Sequence, residues 1–158
     1  AARALIEGAI VAEIAGRTTA ADLAEVDATL AAMRAARGVG ADMQKADRDF
    51  HVALARITGN DALTHIVGDL FDQRMHPYFA QLASYFEDSD SWRAALSEHV
   101  AVRDAIARGD GAAAQAAMHL HLNNSKSRFS QQFKPSGRRD QDPSGAGLKP
   151  RRMAVTAR

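Results

Sequence analysis

Residues 47–60 of this 158-residue chain read DRDFHVALARITGN, a stretch that predicts both a helix and the way in which it ends. Apolar side chains recur in it at intervals of three and four, which is the spacing of one face of an α-helix. Gly59 suits the left-handed conformation that commonly closes a helix, and Asn60 can cap the next one. The stretch therefore predicts a helix from about Ala41 to Ile57 and another helix directly after it.

The same spacing continues on both sides of this stretch, and β-branched residues nowhere alternate over the length of a strand. These patterns predict an all-α chain of about six helices. Turn and capping residues divide the helices. The expected landmarks are a first helix over about 2–15, an N-cap at Thr18 or Thr19, the third helix at 41–57, a fourth helix that meets Pro77, a fifth over about 91–108, and a sixth capped by Asp110 and ending near 129.

Composition limits the classes of protein to which the chain can belong. It contains no cysteine, so a metal site must use nitrogen and oxygen ligands. Residues 134–158 have seven Lys or Arg against two Asp, so this segment carries +5 and the other 133 residues carry −4. An acidic body lacks the charge pattern of a nucleic-acid-binding domain. No apolar run approaches the roughly 20 residues of a membrane span, and no signal peptide is evident, which predicts a cytoplasmic protein.

The segment at 134–158 is also rich in Pro and Gly and poor in large apolar side chains. Such a composition cannot bury enough surface to order itself, which predicts a disordered C-terminal tail. Its positive charge leaves open a weak contact with nucleic acid or a membrane surface.

Four polar residues fall on the inward faces of the predicted helices. Asp47 and His51 lie four residues apart and so share one face of the third helix. His99 continues an apolar stripe on the fifth helix, and His121 does so on the sixth. A carboxylate and neutral imidazoles are good ligands for divalent Zn, Mn, Ni or Fe, which makes a metal site the sharper hypothesis. A histidine on an apolar stripe is more often a hydrogen-bonded core residue, so spacing alone leaves both interpretations open.

Two further residues are candidates for contact with an anionic ligand. Arg74 continues the apolar stripe of the fourth helix, where a guanidinium must either reach solvent or meet an anion. Asn124 follows His121 by three positions and either faces the same interior or lies in solvent. His119 is two residues from His121, so it is expected on roughly the opposite face of the helix and at the surface.

Several of these motifs together resemble one known domain. DRDFHVALARITGN at 47–60, followed by SEHVAVRDAIARGDGAAAQAAMHLHL at 97–122, resembles the effector-binding domain, called FCD, of GntR-superfamily transcription regulators of the FadR subfamily. RALIEGAIVAEIAGRTTAADLAEVDATLAAM at 3–33 is similar to that domain's first two helices. The resemblance covers about residues 1–133, and the order of D-x-x-x-H, the GN turn, EH and GD…HL makes it specific.

The resemblance implies an antiparallel helical bundle that senses a small metabolite, commonly a carboxylate, in a central cavity. Many members bind a metal through one Asp and three His, which map here onto Asp47, His51, His99 and His121. The metal would anchor a carboxylate effector through an open coordination position. Arg74 is expected to pair with the same carboxylate, and Asn124 is a further candidate contact.

The resemblance also implies a place in a larger regulator. Residues 1–133 would form the ligand-binding domain of a homodimer, and 134–158 would follow it as a tail. The family's N-terminal winged helix-turn-helix is missing from this chain, so operator DNA would be bound only through that missing domain.

Two other classes of function remain as alternatives: a metal-dependent hydrolase built in the bundle, and a metal-free helical interaction domain. The sequence places no Glu or further Asp beside the four ligands as a general base, and no nucleophile with an activating partner is evident. This absence favours a regulator over an enzyme.

Overall fold

A computed structural model describes residues 2–36, 41–73 and 89–132. These residues form six α-helices: α1 (Ala2–Ile14), α2 (Ala20–Ala35), α3 (Ala41–Arg56), α4 (Asp61–Asp72), α5 (Ser89–Ala107) and α6 (Gly111–Gln132). Within these three ranges no strand is present, so the all-α prediction is confirmed. None of the helices described is long and apolar enough to cross a membrane. Arg74, Pro77 and the segment at 134–158 lie outside the described residues.

The helix ends follow the capping chemistry expected from the sequence. Thr19 is the N-cap of α2, and its side chain and the carboxylate of Asp22 each accept a backbone hydrogen bond in a capping box. The side chain of Asn60 caps α4 by accepting from the backbone N–H groups of Ala62 and Leu63. Gly59 and Gly109 adopt φ angles of +68° and +70°, the left-handed conformation that lets the chain turn after α3 and α5.

All six helices contribute to one interior of buried apolar side chains. We refer to its larger members as the apolar core: Ile14, Leu30, Met33, Phe50, Leu54, Val67, Ile106 and Met118. Trp92 lies at the edge of this core, and its indole nitrogen donates to the carbonyl of Met33 at 3.2 Å. Since that carbonyl belongs to the last turn of α2, the bond satisfies a helix-end acceptor and joins α5 to α2.

α1 and α6 pack antiparallel at unusually close range. A Cβ placed on Gly8 would lie 2.3 Å from Nε2 of His119, and one placed on Gly111 would lie 2.5 Å from the carbonyl oxygen of Ala12. The expected surface position of His119 is therefore wrong: its ring is partly buried, and its Nε2 lies 2.9 Å from the carbonyl oxygen of Ala4. This close approach brings the buried face of α1 to the level of the histidines on α6.

Candidate metal centre

α3, α5 and α6 bring the four residues singled out by the sequence together. We call Asp47, His51, His99 and His121 the four-residue cluster. One carboxylate oxygen or ring nitrogen from each of them lies within 4.8 Å of the corresponding atoms of the other three. The three histidines are buried, and the side chain of Asp47 is 19% exposed. The inward direction expected for the histidines is thus the one observed.

The spacing inside the cluster matches that of ligands around one ion. Nε2 of His99 lies 3.2 Å from Oδ1 of Asp47 and 3.3 Å from Nε2 of His51. Nε2 of His51 lies 3.7 Å from the same oxygen of Asp47. Ligands at roughly 2.0 to 2.2 Å from a tetrahedral metal are themselves separated by about 3.3 to 3.6 Å. The separations among Asp47, His51 and His99 are therefore close to those of ligands around one divalent metal, and His121 completes the group within 4.8 Å.

The carboxylate of Asp47 contains a buried oxygen whose hydrogen-bonding needs are unmet. Its Oδ1 has no hydrogen-bond partner among the described residues, although two histidine nitrogens lie nearby. A buried acceptor without a hydrogen bond lowers the stability of the fold, and a charged acceptor lowers it more. A cation placed among the four side chains would supply the missing interaction.

The protonation states of the cluster suit metal binding. Burial lowers the pKa of His99 to about 4, and burial also lowers the pKa of His121, so both rings are neutral near pH 7. Burial alone would raise the pKa of Asp47, but the contacts with His51 and His99 hold that pKa well below its usual value. Neutral imidazoles and an ionised carboxylate are the forms that bind metals.

His51 differs from the other two histidines because a second carboxylate lies behind it. Oε2 of Glu7, on α1, lies 2.5 Å from Nδ1 of His51, a separation typical of an ion pair, although the contact lacks the direction of a good hydrogen bond. Burial is the largest single effect and lowers the pKa of His51, but the charge of Glu7 together with the contacts to Asp47 and Glu7 outweighs it, so the pKa is raised on balance. Arg3 donates to the other oxygen of Glu7 at 2.5 Å, and its guanidinium lies 4.9 Å from the ring centre of Phe71.

Glu98, on α5, occupies the equivalent place behind His121. Its Oε2 lies 2.9 Å from Nδ1 of His121. Arg128 donates to both oxygens of Glu98, at 2.8 and 2.9 Å, and the amide of Asn124 donates to one of them at 2.8 Å. Burial would raise the pKa of Glu98, yet these donors lower it to about 2.

The sequence placed no Glu beside the four residues as a general base, and the structure places two carboxylates on the outer side of the cluster. Glu7 and Glu98 each contact a histidine at Nδ1, so that Nε2 of each ring is the nitrogen left for the cluster. A local signal marked Glu7, because it falls on the inward stripe of α1 three and four residues before Ile10 and Val11. Glu98 carried a similar signal, because it lies three residues after Ala95 and four before Val102, and both of these side chains are buried.

The structure describes one of the two expected effector contacts. Arg74 lies outside the described residues, so its role stays a prediction. Asn124 is partly buried and donates to Glu98, which places its side chain on the outer side of His121. Its role as an effector contact also stays a prediction.

Comparison with known proteins identifies the domain. The model of the FCD domain family matches residues 1–124. The chain belongs to the FCD domain family. It is 33% identical over 125 residues to the HTH-type transcriptional regulator LutR of Bacillus subtilis, covering 77% of this chain and 56% of that protein. The Uxu operon regulator of Haemophilus influenzae is 32% identical over 126 residues, 79% of this chain and 47% of that regulator.

A third relative is the Exu regulon transcriptional regulator of Escherichia coli K12, which is 33% identical over 129 residues, 79% of this chain and 48% of that protein. The chain thus spans about half the length of the curated relatives it matches. The predicted resemblance is confirmed: this is an FCD domain of the kind found in GntR-family transcriptional regulators.

Proposed function

We propose that this chain is the effector-sensing and dimerisation domain of a GntR-family transcriptional regulator. Its effector would be a small mono- or dicarboxylate, bound at a divalent transition metal held by the four-residue cluster. The observation that carries the proposal is the unpartnered Oδ1 of Asp47, which lies 3.2 to 3.7 Å from two imidazole nitrogens inside a helical bundle.

Different residues would hold the metal, exclude water from it and contact the effector. Zn, Mn, Ni or Fe, when bound, would supply a Lewis-acidic position that accepts a carboxylate oxygen of the effector. The ring of Phe50 packs 4.3 Å from that of His99, and the ring of Phe71 lies 5.8 Å from that of His51, so both help to keep water from the ligand nitrogens. Arg74 and Asn124 are proposed to bind the effector's remaining oxygens.

Regulation requires that the effector distinguish two arrangements of the protein. A ligand can shift an equilibrium only by its difference in affinity for the two states. We propose that the domain acts as a homodimer in the cytoplasm, and that effector binding changes the placement of the DNA-binding domains of the intact regulator. The name HTH-type transcriptional regulator, carried by the LutR relative, supports operator DNA as the final partner.

The geometry gives less support to a metal-dependent hydrolase. A general base should reach the substrate side of the site and titrate near the working pH. Glu7 and Glu98 instead contact Nδ1 of their histidines, bind arginines, and have pKa values lowered to about 2. Among the described residues they are the carboxylates in contact with the cluster from outside it, and neither suits the role of base.

Metal content tests the proposal directly. Protein purified without chelators should contain about one divalent transition metal per chain by elemental analysis, and His99→Ala or His121→Ala should lose most of it. His65→Ala is the matched control, because His65 is an exposed histidine of α4. Calorimetric titration with a panel of organic acids, with and without metal, then tests the effector. Full metal occupancy in the His99→Ala, His121→Ala double variant would disprove the site.

A further inference from the structure

Two of the three cluster histidines are each backed by a carboxylate that an arginine binds in turn. Arg3, Glu7 and His51 form one such series, and Arg128, Glu98 and His121 form the other. In both, the carboxylate meets the histidine at Nδ1. We refer to them as the α1 series and the α6 series. The third histidine has no counterpart. Among the described residues, Nδ1 of His99 contacts no carboxylate, whereas Nδ1 of His51, which also lacks a hydrogen bond, lies 2.5 Å from Glu7.

The contact distance fixes the position of a proton in the α6 series. A carboxylate oxygen offers only lone pairs, so the 2.9 Å hydrogen bond to His121 requires a proton on Nδ1. In the α1 series the 2.5 Å contact lacks the direction of a hydrogen bond, but the negative charge of Glu7 favours a proton on the same nitrogen of His51. A neutral ring with its proton on Nδ1 has its lone pair on Nε2. The two carboxylates therefore select the tautomer that directs a ligand lone pair into the four-residue cluster.

The carboxylates are themselves held in place. Glu98 accepts from both terminal nitrogens of Arg128 and from Asn124 as well as contacting His121. Glu7 is bound by Arg3, with side chains only 3% and 13% exposed. A carboxylate held in this way cannot easily rotate away from its histidine, so the imidazole ring keeps its orientation.

We propose that Glu7 and Glu98 are positioning residues of the metal site, which orient His51 and His121 and set their tautomers. This inference rests on the proposed function, because it assumes that the cluster binds a metal. Removing such an outer partner typically weakens metal affinity by about ten- to a hundredfold. His99, which lacks an outer carboxylate, should be the least constrained of the three ligands.

Competition between the full chain and a chromophoric chelator for Zn²⁺ tests the proposal, with the Co²⁺ absorption spectrum as a second readout. Glu98→Ala should weaken Zn²⁺ binding by about ten- to a hundredfold. Glu98→Gln should recover part of the loss, because the amide oxygen can still accept from Nδ1. Glu7→Gln should weaken binding in the same direction, and both Glu98 variants should shift the Co²⁺ bands.

Asp27→Asn is the matched control. Asp27 accepts a two-point contact from Arg103 at 2.7 Å for both bonds, joining α2 to α5 without touching a histidine. If Glu98→Ala and Glu7→Gln bind Zn²⁺ within twofold of Asp27→Asn, the positioning role is wrong and the metal site itself stands. If the parent chain binds neither ion, the proposed function is wrong and this inference with it. Circular dichroism of each variant separates lost affinity from lost folding, and Glu98→Gln preserves the test if an alanine variant unfolds.

Discussion

The four-residue cluster and the apolar core occupy the same bundle interior and are built from opposite kinds of side chain. Burying apolar surface favours folding by about 25 cal/mol per Å², whereas burying ionisable groups costs several kcal/mol per charge unless each is paired. The core satisfies the first condition with aliphatic and aromatic side chains. Among the described residues, Oδ1 of Asp47 and Nδ1 of both His51 and His99 have no hydrogen-bond partner. Under the proposed function, the metal bound by the cluster would offset this cost to the fold.

The cluster and the core share helices, and their residues lie only one helical turn apart. On α3, His51 is followed three residues later by Leu54, and on α6, Met118 precedes His121 by three. All four are buried. The core therefore holds the backbone that carries the cluster, while its own side chains contribute no atom to the cluster. A change confined to a core side chain should thus affect stability more than metal binding.

The largest expected effect comes from a change in the core alone. Leu54→Ala removes a side chain that is 1% exposed, and loss of such a group typically costs about 2 to 5 kcal/mol of unfolding free energy. The number of metal ions bound per folded chain should stay the same, because Leu54 contributes no ligand atom. Urea unfolding and elemental analysis measure the two quantities. If Leu54→Ala lost its metal while still folded, the core and the cluster would be one cooperative unit.

Acid should weaken the metal-free protein through the cluster. Burial lowers the folded-state pKa of His99 to about 4 and lowers that of His121, against about 6.5 when unfolded. Between pH 6.5 and 4 the unfolded chain therefore binds more protons, and stability present above pH 6.5 is lost on acidification. His99 alone would contribute up to roughly 3 kcal/mol. His51, whose pKa is raised mainly by Glu7 against the effect of burial, acts in the opposite direction.

Urea unfolding of chelator-treated protein at pH 7.5, 6, 5 and 4 measures this loss. His65→Ala should follow the parent, because its side chain is exposed. Below pH 4.5 the loss should continue, since Glu7 and Glu98 have pKa values lowered to about 2. Burial alone would raise both pKa values. His51 and Arg3 outweigh this effect at Glu7, and Arg128 and His121 outweigh it at Glu98. Stability that stays constant from pH 7.5 to 4 would mean that the histidines are not buried in their neutral form.

Arg74→Ala tests whether the polar region extends beyond the described residues. A charge-assisted hydrogen bond is typically worth about 1.5 to 3 kcal/mol, so loss of Arg74 should weaken carboxylate binding roughly ten- to a hundredfold. Metal content should not change. Calorimetric titration of the metal-loaded variant provides the affinity. Loss of the metal would make Arg74 structural, and unchanged affinity would leave the effector held by the metal alone.

How far the sequence predicted these regions depends on the range of the contacts involved. The shared helical face of Asp47 and His51 and the N-cap at Thr18 or Thr19 both follow from local sequence, and the structure has Asp47 beside His51 and Thr19 as the cap. Glu98 was missed because its partners Asn124 and Arg128 follow it by 26 and 30 residues and reach it only when α6 packs on α5.

Glu7 could have been found, since a charged residue on an apolar stripe was the same signal that singled out Arg74. The contact of Glu7 with His51 could not have been predicted, because His51 lies 44 positions later in the chain. Likewise, the periodicity of α6 placed His119 away from the cluster but gave no warning that Gly8 allows α1 to approach it. Spacing within a helix identifies which face is buried, whereas the contacts across helices depend on packing that no single segment encodes.

The smallest expected effect is also the one with the least intuitive sign. His99 is fully buried, and the ring of Phe50 packs against it at 4.3 Å, so a leucine of similar size fits this environment better. A buried nitrogen without a partner costs about 1 to 3 kcal/mol, and loss of the 3.2 Å contact with Asp47 offsets part of the gain. His99→Leu should therefore stabilise the metal-free protein by about 1 kcal/mol while abolishing metal binding. Urea unfolding of chelator-treated parent and variant provides the comparison, and a variant less stable than the parent would show that His99 serves the fold as the apolar core does.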